Sequence, residues 1–174
     1  MVKPIAHTTA ALALASVLML AGPARAEEPM QVSGIDIVTQ VESHVILAGD
    51  QAHSVGVVKW VGAVSSPGWF DSMQATFTAT AWTDLKLGRS EAKGALFWRN
   101  SEGALIGSYV IKVVFTIDPK TNAPKGTLEG TWEIADGTDR FANVRGHGTV
   151  KGEFNGVNGI DHWSGTITGF DKRV

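Results

Sequence analysis

From Gly126 to Gly169, glycines and bulky apolar residues share faces at a period of two, a pattern that strands satisfy and helices do not. In Thr127 to Ala135, Leu128, Trp132 and Ile134 lie on one face with Gly130, while Thr127, Glu129, Thr131 and Glu133 lie on the other. In Arg145 to Phe154, one face carries Gly146, Gly148, Val150, Gly152 and Phe154, and the other Arg145, His147, Thr149, Lys151 and Glu153. Pairing the two strands sets Trp132 against Gly148, Ile134 against Gly146, Gly130 against Val150 and Leu128 against Gly152. The same register puts Glu129 opposite Lys151, Glu133 opposite His147 and Thr131 opposite Thr149; opposite charges across a ladder contribute roughly 0.2–1 kcal/mol each. A one-residue slip would lose both patterns, so this register is well determined.

A third strand, Asp161 to Gly169, is expected to place Trp163 opposite Gly152, Gly165 opposite Val150 and Ile167 opposite Gly148. Repeated glycine weakens a flat strand and favours tight curvature with close approach of facing side chains. A closed barrel needs both.

The chain begins with a segment of another kind. Lys3 provides a positive charge, Ala10 to Ala21 is an apolar run, and Ala24-Arg25-Ala26 is a small-residue cleavage signal. The run is shorter than the roughly 20 residues of a spanning helix. Residues 1–26 therefore read as a cleavable signal peptide, and the remainder, 27–174, as one exported domain bound for a bacterial periplasm or the medium, with no stable membrane insertion. Removing the leader takes Lys3 and Arg25 but no acidic residue, leaving a domain more acidic than the −2 of the whole chain. No basic run survives, which argues against nucleic acid as a partner. Without cysteine, the exported domain has to be held by its core alone.

Turn formers punctuate the domain at strand-like spacing. Strands are predicted over Val32–Leu47 (interrupted), His53–Val64, Ser72–Thr83, Glu91–Arg99, Leu105–Asp118, Thr127–Ala135, Arg145–Phe154 and Asp161–Phe170. About eight strands with short links predict an all-β fold, an antiparallel up-and-down β-barrel, which also removes exposed sheet edges. Across the Asn100–Gly103 turn, Phe97 is expected to face Gly107, and Ala95 to face Tyr109. The strand Leu105–Asp118 is apolar on both faces: Tyr109, Ile111, Val113, Phe115 and Ile117 point one way, and Ile106, Val110 and Val114 the other. Such a strand has a partner outside the sheet, either a subunit of a homo-oligomer (trimer or dimer) or a packed terminal segment or loop.

The segment GTDRFANVRGHGTVKGEF, after GTLEGTWEI, resembles the allene-oxide-cyclase barrel-like superfamily, which includes the dirigent proteins. The dirigent pattern here is a Gly-Thr-Gly-Asp-Phe turn followed by Ala-Arg-Gly; Gly137, Thr138, Phe141, Arg145 and Gly146 match it. Arg140 stands where those proteins have a pocket Asp, with Asp139 one position earlier, and Val144 replaces the Ala. The resemblance implies an antiparallel barrel with a mostly apolar cavity, often trimeric, and makes Arg145 a candidate catalytic group if a bulge turns it inward.

The residues themselves carry no specific catalytic or cofactor motif: there is no Walker loop, G-x-S-x-G elbow or H-E-x-x-H, and no cysteine nucleophile. His147 and Asp161-His162, with Glu133 and Glu153 nearby, contain metal-ligand types, but exposed cross-strand pairing accounts for them better. Asp36, Glu42, Asp71, Asp84, Glu91 and Arg145 are the acid–base candidates near strand ends. Six tryptophans outnumber the single tyrosine. Trp132 and Trp163, with Phe97, Tyr109 and Phe115, are expected to line the interior, and Trp69 and Phe70 to sit at a barrel mouth where they gate a ligand or cap the core. The leading expectation is a barrel that binds a small hydrophobic molecule. The alternatives are a cyclase, isomerase or dirigent-like stereochemical guide on a hydrophobic precursor, and a structural protein with a filled barrel.

Overall fold

The structure, a computed structural model, describes residues 28–47, 49 and 52–170. The predicted leader lies outside the described residues. Eight strands follow in chain order: β1 Met30–Leu47, β2 His53–Ser66, β3 Phe70–Asp84, β4 Arg89–Asn100, β5 Gly103–Ile117, β6 Pro124–Gly137, β7 Arg145–Asn155 and β8 Asn158–Thr168. Each pairs antiparallel with the next, and β1 pairs with β8 from Met30↔Ile167 to Thr39↔Asn158, so the sheet closes into a barrel. The helical content among the described residues is one 3-10 turn, Asp139–Phe141, in the β6–β7 connection. No helix among them is long and apolar enough to cross a membrane.

The β6–β7 register is the predicted one at every pair, from Leu128↔Gly152 through Trp132↔Gly148 to Ile134↔Gly146, with Glu129↔Lys151 on the outer face. The β7–β8 register differs from expectation by two positions. A tight turn puts Asn155 against Asn158, so Val150 faces Trp163, Gly148 faces Gly165 and Gly146 faces Ile167. The shift is even, so every β8 side chain keeps its expected face. Gly156, at φ +64 in that turn, adopts the left-handed backbone that a two-residue hairpin demands.

The β4–β5 register differs by one, which matters more. Asn100 pairs with Gly103, closing a two-residue loop of Ser101 and Glu102, so Leu96 faces Gly107 and Phe97 faces Ile106. An odd shift reverses the faces. Leu96 and Trp98 point inward, and Phe97 is turned outward and 38% exposed. The expected interruption of β1 is a bulge: pairing passes from Gln40↔Trp60 to Glu42↔Lys59, leaving Val41 unpaired. Val38 and Gln40 before it and Ser43, Val45 and Leu47 after it all line the interior.

The two ends of the barrel differ. At one end the β2–β3 and β6–β7 connections and the residues after β8 fold over the opening. Trp69 and Phe70 (ring centroids 4.8 Å apart) pack with Phe141 and Phe170, which stack at 6.2 Å. The Arg140 guanidinium lies 5.0 Å above the Phe170 ring and pairs with Glu102. Trp69 and Phe70 are thus buried in a plug and are not at an entrance. The opposite end carries Leu47, Leu85, Ile117, Pro124 and Val157 around an apolar mouth.

On the outer wall, Ile106, Val110 and Val114 of β5 are exposed, which bears out the two-sided apolar reading of that strand.

Candidate functional site

Close approach of large side chains to glycine shapes the interior. Trp132 crosses over β7 and β8 where Gly148 and Gly165 pair, and a β-carbon at either position would collide with its ring. Trp163 lies against Gly34 of β1 in the same way. These two rings meet edge to face at 5.8 Å, and Trp98 packs on Trp163 at 5.2 Å. Trp163 also contacts Trp69 and Phe70 of the plug. It therefore divides the barrel: packed core lies on one side and a cavity on the other.

The cavity has a volume of about 420 Å³ and opens at the apolar mouth. Its wall is built by inward positions of all eight strands, including Val58, Trp60, Phe77, Ile111, Val113, Phe115, Leu128 and Val150. Of the residues expected to line the interior, Trp132, Trp163, Tyr109 and Phe115 do. Phe97 does not, because the β4–β5 loop is one residue shorter than expected, and Trp98 takes that role. Trp69 and Phe70 belong to the plug and do not line the cavity.

Polar groups gather at the inner end. Asp36 and Asp161 are direct cross-strand partners in the β1–β8 seam, both facing inward. Asp36 is 3% exposed and accepts a 3.0 Å hydrogen bond from Trp163 Nε1. Burial raises its carboxyl well above the ordinary range, and the nearby Asp161 charge raises it further. Asp161 rests over Gly152, where a β-carbon would overlap its carboxylate. Burial lifts Asp161 to about 6, with His162 opposing the shift. Tyr109, 7% exposed, is raised by burial and then by the Asp161 charge. Asp161 Oδ1, Tyr109 OH and Trp98 Nε1 are buried without a hydrogen-bond partner in the protein, and all three residues line this cavity.

The other acid–base candidates lie elsewhere. Arg145 is on the outer face of β7, half exposed, donating to the Val144 carbonyl (2.7 Å) and lying 3.6 Å from Asp136. No bulge turns it inward, so it does not line the cavity. Glu42 pairs with His44 at 2.8 Å and Glu91 with Lys93 at 3.6 Å, both outside. Asp71 is exposed, and Asp84 caps the β3–β4 turn by accepting from the Lys86 and Leu87 amides at 3.0 Å each. Asp161 and Tyr109 are acid–base residues absent from the sequence-based set. The available signal was alternation, which places Asp161 on the same face as Trp163. No group of three or more His, Asp or Glu among the described residues is arranged to hold a metal ion.

No protein-family model matches the chain, and no curated protein or solved structure matches it either.

Proposed function

We propose that this chain is an exported barrel that binds a small, largely hydrophobic molecule in its interior. The observation that carries the reading is the mouth-accessible apolar cavity of about 420 Å³ ending at buried polar atoms that have no partner in the protein. Apolar pockets with a few convergent polar groups are the usual form of small-molecule sites. A protein with a filled barrel has no use for such a space, and burying unsatisfied polar atoms costs roughly 1–3 kcal/mol each. The kinship with allene-oxide-cyclase barrel-like proteins is proposed on the Gly137–Phe141 turn and Arg145-Gly146, and the barrel accords with it. Titration of the full domain with a panel of lipids and terpenoids, read by tryptophan emission, tests the binding reading. Trp132, Trp163 and Trp98 line the cavity, so binding should quench or shift their emission. No change with any compound would remove the reading.

A second reading, a cyclase or isomerase on a hydrophobic precursor, is favoured by Asp161 at about 6 beside Asp36 and Tyr109. A carboxyl in that range can give or take a proton near neutrality. Asp161→Asn that turns over a substrate as fast as wild type would remove it.

We also propose that the exposed Ile106, Val110 and Val114 face of β5 is a homo-oligomer contact. Val110→Asp should then lower the mass measured by light scattering. A monomeric wild type, or an unchanged oligomer in the variant, would count against it.

A further inference from the structure

We propose that the cavity selects lipophilic cations: an alkyl or aryl amine whose ammonium sits between Asp161 and Tyr109, with its hydrocarbon running along the apolar wall to the mouth. The inference rests on the binding reading above and adds the head group to it.

At the inner end of the cavity one buried carboxylate oxygen lacks a donor, beside a Tyr109 hydroxyl and a Trp98 Nε1–H that also lack partners. Asp36 Oδ1 is occupied by Trp163 Nε1, whereas Asp161 Oδ1 is buried and accepts nothing from the protein. Tyr109 OH, on a residue 7% exposed, is likewise without a partner. A ligand that satisfies Asp161 Oδ1 has to bring a hydrogen to it, which an ammonium or a hydroxyl does and an ionised carboxylate does not.

Charge separates the amine from the alcohol. Asp161 faces Asp36 from β1 and Gly152 from β7, and its charge reaches Tyr109 of β5, which lines the same cavity. The basic neighbours, Lys151 opposite His162 and His162 itself, lie on the outer face of the wall. Among the described residues no Lys, Arg or His lines the cavity. An ionised carboxylate in such a place has no internal counter-charge, and burial without one is costly. An ammonium supplies both the charge and the donors. The rings of Trp98, Trp132 and Trp163 crowd the same end, and aromatic faces attract cations but not neutral alcohols.

The probes are n-decylamine, n-decanol and n-decanoate, matched in chain length and titrated into the full domain by calorimetry near neutral pH and again below about pH 5. Decylamine is expected to bind wild type about tenfold or more tighter than decanol, with decanoate weakest. The amine preference should shrink on acidification, because Asp161 takes up a proton near 6. It should also fall to within about threefold in Asp161→Asn, which keeps the shape while removing the charge and replacing one acceptor oxygen with an NH2 donor. The acidification arm uses wild type and so stands even if the variant folds poorly. If decanol binds as tightly as decylamine, the cation inference fails while the binding reading survives. If the amine preference persists unchanged in Asp161→Asn or at low pH, the cation sits elsewhere and the inference also fails. If none of the three binds, the binding reading falls and this inference with it.

Discussion

Trp163 Nε1 donates a 3.0 Å hydrogen bond to Asp36 Oδ1, joining the first strand of the barrel to the last across 127 positions of sequence. The bond lies at the seam where the sheet meets itself, in a place both side chains reach because Gly34 leaves room for the indole. One ring thus closes the barrel, satisfies a buried carboxyl, touches the plug and forms the inner end of the cavity.

Trp163→Phe keeps most of the ring and removes the donor. Asp36 is then buried without its partner, which should destabilise the domain by about 1–3 kcal/mol in urea denaturation. In a double-mutant cycle with Asp36→Asn, the pair should couple by roughly 0.5 kcal/mol or more. Additive effects would mean that the bond contributes nothing to closing the seam.

Acid should stabilise this protein where it weakens most. Asp161 has a folded value of about 6 against an ordinary 3.8, so the folded state disfavours its charged form and holds the proton longer than the unfolded chain. Its cost is absent below about 4, grows between 4 and 6, and is fully present above 6, where it amounts to about 3 kcal/mol. Burial pushes Asp36 the same way. Denaturation midpoints should therefore rise from neutral pH to about pH 5, and Asp161→Asn should be more stable than wild type at pH 8 with a flatter profile. A wild type that loses stability steadily on acidification through this window would contradict the buried placement of the pair.

Gly148→Ala tests the packing that the sequence makes most visible. A β-carbon there meets the Trp132 ring, the Ser164 carbonyl and the Gly165 backbone at once, and two of those three are main chain that cannot step aside. Overpacking of this kind costs typically about 1–3 kcal/mol. The near-ultraviolet circular dichroism should change with it, because Trp132 has to leave its edge-to-face contact with Trp163. An unchanged spectrum and midpoint would show that the ring does not lie over this glycine.

How much of this was legible depended on whether two independent patterns agreed. Between β6 and β7, large-against-small and charge-against-charge selected the same register, and every pair is as expected. Between β7 and β8 the glycine pattern fits at more than one even offset, so loop length alone decided, and a two-residue turn shifted the partners by two. The inward faces of Trp163 and Ile167 were unaffected. In β4, Leu96, Phe97 and Trp98 are apolar in succession, so alternation gave no face and the turn again decided. Asp161 was visible as a neighbour of Trp163 on the same face, yet its chemistry needs Asp36 and Tyr109, which lie 125 and 52 positions away and meet it through barrel closure alone. Trp69 sits in a connection without periodicity and Phe70 opens β3 directly after it, where sequence does not reveal which end a loop covers.

The contested face of β4 yields the sharpest contrast between neighbouring positions. Leu96 is 1% exposed and lines the inner end of the cavity, while Phe97 stands against Ile106 on the outer wall. Leu96→Ala removes buried atoms and leaves a hole, a change that costs about 2–5 kcal/mol. Phe97→Ala removes a larger side chain, but one on the outer wall, 38% exposed, whose loss leaves no enclosed hole, and about 1 kcal/mol is expected from the outer cross-strand pair. Ligand titrations should follow the same division, with altered affinity in Leu96→Ala and wild-type affinity in Phe97→Ala. Equal destabilisation, or the reverse order, would restore the three-residue hairpin loop and turn Phe97 into the cavity, because a one-residue change in that loop exchanges the two faces of the strand.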